Sequence, residues 1–450
     1  MALVAAQKIG LEIHIYPRTE CKMFCTCSSD FLHAEANTNI CPVCTGQPGS
    51  KPMPPNMACV EAGLQIAATL SMDISAGPVY TLRKHYFYPD LPSNYQRTAE
   101  PLATGGKLQG FELREIHWEE DPGQYDMVKG VVDLNRSGVP LLELVTEPVL
   151  KNPSDAKALL NDTLLLLQYL EIVREEAPFK VDTNISLEGG ERVEVKNINS
   201  ISGVVRALEF EFERQSDLLE RGLPVEQETR HFDEIMMKTY PMRFKETAED
   251  YRYMRDPDIT PLNVGEIAVR DLGNPFTILE SMCASGAREE DARAIVSNRD
   301  LVFAYNRVAS GSNPLFASHF VARDLRGELN FRKLPPSFIA GEGRMTQIAA
   351  IAAAWSSGRL SNQSSTSLLR SVFEGRDVSA ELRTTEGVFA DEASLDRIAA
   401  EIISSNPDVA ERYRKGSTDV INYLVGLCMK KLEGRARAQD VIVALRRRLG

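Results

Sequence analysis

The chain has 450 residues, enough for two to four domains, and its 43% hydrophobic and 25% charged residues are typical of a globular protein. No apolar stretch reaches the roughly 18 residues of a membrane span, and the start has no basic leader, so we expect a cytoplasmic protein. The net charge of -12 argues against a general nucleic-acid coat. The segment from Glu411 to Gly450 nevertheless holds ten Lys/Arg and four Asp/Glu, which indicates either one local polyanion contact or a solvated helix face.

The first 265 residues mix strand and helix patterns. Alternation predicts strands at Gln7–Tyr16 and Lys180–Leu187. Runs separated by Pro/Gly turns predict further strands at Phe111–Glu120, Val131–Arg136 and Leu141–Thr146. Helical periodicity predicts helices at Met57–Met72, Pro153–Val173 and Val204–Arg221. In the first strand, Glu12 and His14 share the face opposite the apolar residues.

Beyond about Pro261 the pattern is helical only. The predicted segments are Glu289–Val308, Gln347–Trp355, Ser394–Ser405, Asp419–Leu432 and Ala438–Leu449. We therefore predict the α+β fold class, with one large mixed domain at residues 1–265 followed by one or two small helical domains. If there are two, their bounds are residues 266–345 and 346–450.

Five of the eight cysteines lie within the 24 residues from Cys21 to Cys44. Such clustering favours a metal site over a disulfide framework. The two close pairs in this segment can close a tetrahedron around Zn²⁺, and four thiolates leave no open position for water, which makes the ion structural. These pairs are Cys25-x-Cys27 and Cys41-Pro-Val-Cys44. Cys21 could replace Cys25, and the alternative interpretation is a set of buried free cysteines.

Acidic residues supply a second candidate site. Glu143 lies inside the apolar run PLLELV, where a carboxylate is costly unless it is paired or bound to a cation. Glu12 and His14 share a strand face, and Glu119, Glu120 and Asp121 end another strand. Carboxylates with one imidazole suit Mg²⁺ or Mn²⁺. For any single residue, a surface carboxylate or a satisfied core histidine is the alternative.

Cationic and polar residues near turns supply candidate phosphate ligands. They are Arg83-Lys84 before HYFYPDLP, the DLNRSG segment that contains Arg136, and the KNINS segment that begins at Lys196. The aromatic residues of HYFYPDLP could pack a base or fill the core. The sequence has no GxxxxGK[ST] loop, no HExxH motif and no Ser/Gly-rich amidase nucleophile, so an ATP site would not be of the P-loop type.

Taken together, ordered blocks along nearly the whole chain resemble one family. They include IGLEIH, CPVCTGQPG, HYFYPDLP, HWEEDPG, VDLNRSGVPLLELVTEP, DTNIS, VEVKNINS, QETRHFD and DYRYMRDPD, and they continue into NPDVAERYRKG and YLVGLCMKKLEGRA. The family is the B subunit of the heterotrimeric Asp/Glu-tRNA amidotransferase, the GatB family.

This resemblance implies a cradle-like catalytic domain with a glutamine-synthetase-like fold, an all-α helical domain and a YqeY-like helical tail. It implies a glutaminase A subunit and a small C subunit as partners. It also implies that ATP, with Mg²⁺, phosphorylates the side-chain carboxylate of Glu or Asp esterified to tRNA(Gln) or tRNA(Asn). Ammonia from the A subunit then displaces the phosphate.

The matching motifs also carry residue roles. The Mg²⁺ ligands would be His14, Glu120 and Glu143, with Glu12 beside them, and the resemblance selects Glu120 over Glu119. Lys84 and Arg136 would be phosphate ligands. Residues lining the acceptor pocket would be Asp182, Asn184, Lys196 and Asn199. The zinc knuckle of Cys25, Cys27, Cys41 and Cys44 would shape the wall near the tRNA 3′ end. Cations contacting the tRNA body would be Lys415, Lys430, Lys431, Arg435 and Arg437.

The chain departs from the family pattern near the expected substrate pocket, at Arg97, Pro122, Gln124, Lys180 and Arg255. These departures leave a second hypothesis open, a paralogue that activates a different carboxylate or aminoacyl-tRNA. A third hypothesis is a non-catalytic zinc-bearing tRNA-binding scaffold. The joint presence of Glu12, His14, Glu120 and Glu143 speaks against the scaffold, because an acidic metal site serves no purpose in it.

Overall fold

A computed structural model describes residues 7–173, 178–244, 251–385, 392–415, 420–432, 436 and 438–449. The chain divides into two compact units, Met1–Phe276 and Thr277–Gly450. The first unit is a mixed sheet with helices, and the second is helical. The described residues include no helix long and apolar enough to cross a membrane.

One large sheet organises the first unit. Its main path has the strand order β14-β13-β12-β11-β1-β10-β7-β4-β3-β15, and the short strands β2, β5 and β6 attach beside it. The central strands are β1 (Gln7–Ile15), β7 (Phe111–Glu120), β10 (Pro140–Thr146) and β11 (Lys180–Leu187). The strands on the β11 side are β12 (Val193–Ile198), β13 (Glu228–Asp233) and β14 (Lys238–Phe244). Those on the β7 side are β3 (Thr81–His85), β4 (Tyr95–Ala99) and β15 (Met254–Arg255).

The remaining strands of this unit are short. The attached ones are β2 (Asp73–Ile74), β5 (Ala103–Thr104) and β6 (Lys107–Leu108). A separate two-stranded hairpin consists of β8 (Gln124–Asp126) and β9 (Val131–Asp133). The strand predicted at Val131–Arg136 therefore ends three residues early, where Leu134–Ser137 turn back towards β10.

Three helices pack with the sheet of the first unit: α1 (Met57–Thr69), α2 (Pro153–Leu170) and α3 (Ile201–Glu220). Asn152 caps the start of α2, and Pro153 occupies its first turn, where a missing N–H does no harm. Gly63 lets α1 approach the sheet, since a Cβ there would lie 2.6 Å from Leu102 and 3.0 Å from Leu142. The apolar face of β1 is buried, which leaves the opposite face of the central strands for polar residues.

The second unit is built from helices. Its first half contains α4 (Pro275–Ala284, which begins in the first unit), α5 (Glu289–Val296), α6 (Arg299–Ala309), α7 (Pro314–His319), a π-helical turn at Phe320–Leu325, and α8 (Arg326–Phe331). It continues with α9 (Glu342–Ser356), α10 (Asn362–Phe373) and α11 (Ser379–Thr385). The last helices are α12 (Glu392–Ser405), α13 (Pro407–Arg414), α14 (Ile421–Lys431) and α15 (Ala438–Leu449), which share a core of their own.

One predicted helix was wrong in its continuity. The periodic segment Glu289–Val308 forms two helices, because Asn298 caps a new helix by accepting hydrogen bonds from the backbone N–H groups of Asp300 and Leu301. Apolar periodicity continues through such a break, so it does not reveal the break. The division of the helical region at residue 345 stays a prediction.

Candidate catalytic and metal-binding site

Strand register brings polar residues from distant parts of the chain onto one face of the sheet. His14 of β1 stands opposite Glu143 of β10, and Glu143 stands opposite His117 of β7. On the other side of β1, His14 stands opposite Lys180 and Glu12 stands opposite Asp182. Because directly paired residues point to the same face, these side chains form one continuous polar surface.

The centre of this surface is a cluster of His117, Glu119 and Glu143. One ligand atom from each lies within 4.8 Å of the others. His117 Nε2 is 3.4 Å from Glu119 Oε1 and 3.8 Å from Glu143 Oε2. His14 Nε2 lies 3.9 Å from the same Glu143 oxygen. Carboxylates and imidazoles gathered at this distance form a donor set that fits a hard divalent cation.

The charges in the cluster are strongly coupled. Burial and the neighbouring charge of Glu119 raise the pKa of Glu143 well above its ordinary value. Burial opposes ionisation of Glu119, but the His117 hydrogen bond and the Lys84 charge outweigh it and hold the pKa of Glu119 below its usual range. Each of the two carboxyl groups therefore shifts the pKa of the other. Two carboxylates at this distance need a proton or a cation between them, and a divalent cation satisfies that need.

The two histidines of the surface differ in charge. Burial and the charge of Lys180 lower the pKa of His14 to about 4, so its imidazole is neutral at pH 7 and able to act as a ligand. Burial also opposes charging of His117, but the ion pair with Glu115, the hydrogen bond to Glu119 and the charge of Glu143 raise its pKa to about 10. The His117 imidazolium therefore supplies positive charge among the carboxylates when no metal ion does.

A second polar group continues the same surface towards β11 and β12. Lys196 Nζ donates to Asp182 Oδ2 at 3.0 Å and lies 3.3 Å from Glu194 Oε1. Burial opposes ionisation of Asp182, but the charges of Lys196 and Lys180 hold its pKa below the ordinary range. Asn184 Nδ2 donates to Glu12 Oε1 at 3.0 Å. Of the predicted acceptor-pocket residues, Asn184 thus contacts Glu12, and Asp182, which binds Lys196, stands opposite Glu12 in the strand register.

Lys84 reaches the surface from β3, on the other side of the cluster. Its ammonium lies 4.7 Å from the ring centre of Tyr251 and 6.0 Å from that of Tyr86. Burial opposes its charge, but Glu119 and the neighbouring tyrosines raise the pKa of Lys84 above its ordinary value. A fixed cation beside the carboxylate cluster suits a phosphate-bearing substrate.

The selection of Glu120 over Glu119 disagrees with this geometry. Glu120 Oε1 accepts from the Arg97 backbone N–H at 3.1 Å and lies 3.4 Å from Arg97 Nη1. Arg97 also donates to Asp256 Oδ2 at 2.8 Å, and Arg83 joins the same carboxylate on the same side. Successive residues of a strand point to opposite faces, so Glu119 faces His117 and Glu143 while Glu120 faces away.

Arg136, which was predicted as a phosphate ligand, does not contact the carboxylate cluster either. Its guanidinium donates to the carbonyl oxygens of Pro122 at 3.0 Å and Gly123 at 2.7 Å, and it lies 3.2 Å from Asp121 Oδ2. Tyr16 donates to that same Asp121 oxygen at 2.7 Å. Arg136 thus fixes the loop that follows β7, and the contacts do not bring it into the carboxylate cluster.

The four cysteines of the predicted knuckle do come together. The sulfur atoms of Cys25, Cys27, Cys41 and Cys44 all lie within 4.8 Å of one another, and the two sulfurs of the CPVC pair are 3.9 Å apart. Tetrahedral Zn–S bonds of about 2.3 Å require S···S distances of about 3.8 Å, so the arrangement fits zinc. Cys21 is not part of this group.

The other predicted residues that the structure describes have local partners or are exposed. Asn199 follows the end of β12, and its backbone N–H donates to Glu234 Oε1 at 3.2 Å. In the tail, Lys415 pairs with Glu411 at 2.6 Å, Lys431 pairs with Glu401, and Lys430 is exposed. Arg435 and Arg437 lie outside the described residues. These ion pairs neutralise part of the positive charge that the count of Lys and Arg residues in this segment indicated.

Among the five departures from the family pattern, Lys180 stands opposite a residue of the polar surface. Arg97 faces the other side of the sheet. Arg255 stacks on the Tyr80 ring at 3.6 Å and pairs with Glu100 at 3.2 Å. The Pro122 carbonyl accepts from Arg136, and Gln124 begins the β8–β9 hairpin. Most of these substitutions therefore bear on local structure more than on the acceptor group.

His117 was not predicted as a site residue from the sequence, and Glu120 was predicted in place of Glu119. Their signal was present in HWEE, where a histidine and a carboxylate alternate on one face of a strand. This pattern indicates a site only when β7 is known to pair with β10, because that pairing places this face of β7 beside Glu143.

A large sheet presents carboxylates, imidazoles and lysines on one face. This arrangement defines an α+β protein with an acid–base surface that fits a divalent cation, as enzymes of phosphoryl transfer have. Residues 7–270 match the model of the GatB/GatE catalytic domain, and residues 303–449 match that of the GatB domain. The chain therefore belongs to the GatB family.

Three proteins similar to this chain over nearly its whole length carry one name, the B subunit of aspartyl/glutamyl-tRNA(Asn/Gln) amidotransferase. The protein of that name from Methanothermobacter thermautotrophicus is 40% identical, with 98% of this chain and 100% of the relative covered. The one from Methanocaldococcus jannaschii is 40% identical, with 98% of each chain covered. The one from Methanobrevibacter smithii is 38% identical, with 97% of this chain and 98% of the relative covered.

Proposed function

We propose that this chain is the subunit of a tRNA-dependent amidotransferase that activates the side-chain carboxylate of Glu-tRNA(Gln), Asp-tRNA(Asn) or both. In this reaction the carboxylate attacks the γ-phosphorus of ATP, which gives an acyl phosphate and ADP. Ammonia then attacks the acyl carbon, phosphate leaves, and the amide loses a proton to a nearby base. The observation that carries the proposal is the surface that joins His14, His117, Glu119 and Glu143 to Lys84 and Lys196.

The reaction explains why the surface has both acidic and basic groups. A divalent cation bound by Glu119, Glu143 and the neighbouring histidines would neutralise charge on the transferred phosphoryl group. Lys84 lies on one side of the cluster and would hold phosphate oxygens. The Asp182–Lys196 pair lies on the other side, and the Lys196 ammonium would orient the acceptor carboxylate.

Other parts of the chain have supporting roles in the proposal. The knuckle of four cysteines would hold one structural Zn²⁺. The tail would contact the tRNA body, and a glutaminase A subunit and a small C subunit would supply ammonia and complete the enzyme. A cytoplasmic location, a cradle-like glutamine-synthetase-like catalytic domain and a YqeY-like tail belong to the same proposal.

The direct test is reconstitution. The purified chain, with A and C subunits from its own source, should convert Glu-tRNA(Gln) or Asp-tRNA(Asn) to the amide form in a reaction that requires ATP and Mg²⁺. Amide product on one or both substrates identifies the tRNA served. ATP turnover without amide on either would favour a paralogue that activates another carboxylate, and the absence of both would favour a binding scaffold.

A further inference from the structure

Lys22 is a buried lysine that lies against the four-cysteine knuckle. Its exposed fraction is 1%, which is rare for a lysine. The ammonium group lies 3.5 Å from Cys44 Sγ and 3.1 Å from the backbone carbonyl oxygen of Leu134. Within the described ranges, no carboxylate forms an ion pair with it. A buried ammonium without a countercharge costs several kcal/mol, so its position needs an explanation.

The cysteines can supply that countercharge in one state only. Four thiols are neutral and offer the ammonium a weak sulfur acceptor. Four thiolates around a divalent cation carry a net charge of about -2, and a nearby ammonium offsets half of it. We infer that Lys22 is the counter-cation of a tetrathiolate metal centre and donates an N–H···S hydrogen bond to the Cys44 ligand. The inference rests on the zinc site proposed above and adds a residue that the ligand motif does not contain.

The surroundings of Lys22 support this role by fixing the ammonium in place. Its backbone N–H donates to the carbonyl of Cys27 at 2.9 Å, within the knuckle itself. Ser137 Oγ donates to the carbonyl of Cys44 at 2.8 Å, and the Met23 N–H donates to Gly138 at 2.7 Å. The lysine and its thiolate partner are thus held by the same segment, 134–138, which keeps the N–H···S contact preorganised. Contacts of this kind outside the ligand set commonly tune metal affinity.

The test compares Lys22→Met with Lys51→Met in the full-length chain. Methionine keeps the length and apolar body of the side chain and removes its charge. Lys51 lies seven residues after Cys44 in the sequence and is exposed, so its substitution controls for the change in net charge. Zinc affinity is measured by competition with a chromogenic chelator, and the thiolate-to-Co²⁺ charge-transfer band is recorded after cobalt substitution. We expect about a 10- to 100-fold weaker zinc affinity and a shifted band for Lys22→Met alone.

Thermal unfolding of the metal-free protein provides an independent readout. Without metal the ammonium has no countercharge, so Lys22→Met should melt at the same temperature as the parent chain or higher. Weaker zinc binding together with lower metal-free stability would overturn the inference, because both effects would then reflect disturbed packing. Equal zinc affinity of Lys22→Met and the parent chain would overturn the role of Lys22 but not the proposed zinc site. A parent chain that binds no zinc overturns both.

Discussion

Glu119 and Glu120 are neighbours with opposite surroundings, and their substitution by glutamine tests the site directly. Glu119→Gln removes one of the two carboxylates of the cluster, and with it the 3.4 Å contact to the charged His117 and the attraction to Lys84. Loss of a group that stabilises developing charge in a dry site costs about 3–4 kcal/mol in the transition state. The rate of ATP-dependent amidation should therefore fall about 100- to 1000-fold, with the global fold retained.

Glu120→Gln is the matched control, one residue away. It removes a 3.4 Å ion pair with Arg97, but Arg97 keeps its 2.8 Å contact with Asp256. The expected effect is a loss of about 1–3 kcal/mol in the free energy of unfolding and a rate within a few-fold of the parent.

Both variants are assayed for amide formation at saturating ATP over a titration of Mg²⁺, and for unfolding in urea. Glu119→Gln should require more Mg²⁺ than the parent chain, since a carboxylate ligand is lost. If Glu120→Gln abolishes amidation while Glu119→Gln retains it, the assignment of the cluster to this face of β7 is wrong, and the ligand suggested by the family resemblance is the correct one.

Three further predictions concern other parts of the chain. Lys196→Met leaves the buried Asp182 without its cation and should lower the free energy of unfolding by about 3–5 kcal/mol in urea at pH 7. Because the pKa of Asp182 is depressed in the folded chain, its stabilisation is present above about pH 4 and is lost at lower pH, so the parent and Lys196→Met should converge in acid. Metal analysis should find about one zinc ion per chain in the parent and in Cys21→Ser but none in Cys25→Ser. The reverse result for the two variants would make Cys21 the ligand. Deleting the chain after Ser405 should weaken tRNA binding and flatten its salt dependence while ATP affinity is unchanged, and equal tRNA affinity would remove the tail from the interface.

Much of the fold could be predicted because its signals are local. The strands β1, β7, β10 and β11 have near-strict alternation, and the helix from Pro153 has a capping Asn152 before it. Strands β12–β14 at one side of the sheet were not predicted as a set, since their charged and polar residues hide the alternation. The spacing of the cysteines predicted the knuckle because its two pairs are close in sequence.

The sequence by itself determined which residues share a face within each strand, and it determined that one of Glu119 and Glu120 must face away from any site. Only the tertiary structure decided which one. That decision depends on the antiparallel pairing of His117 with Glu143 across β7 and β10, and the pairing of His14 with Glu143 across β1 and β10 then completes the surface. Such pairings between separate segments leave no periodic trace in the chain. The burial of Lys22 was equally hidden, because the groups around its ammonium come from the distant segment 134–138 as well as from the knuckle.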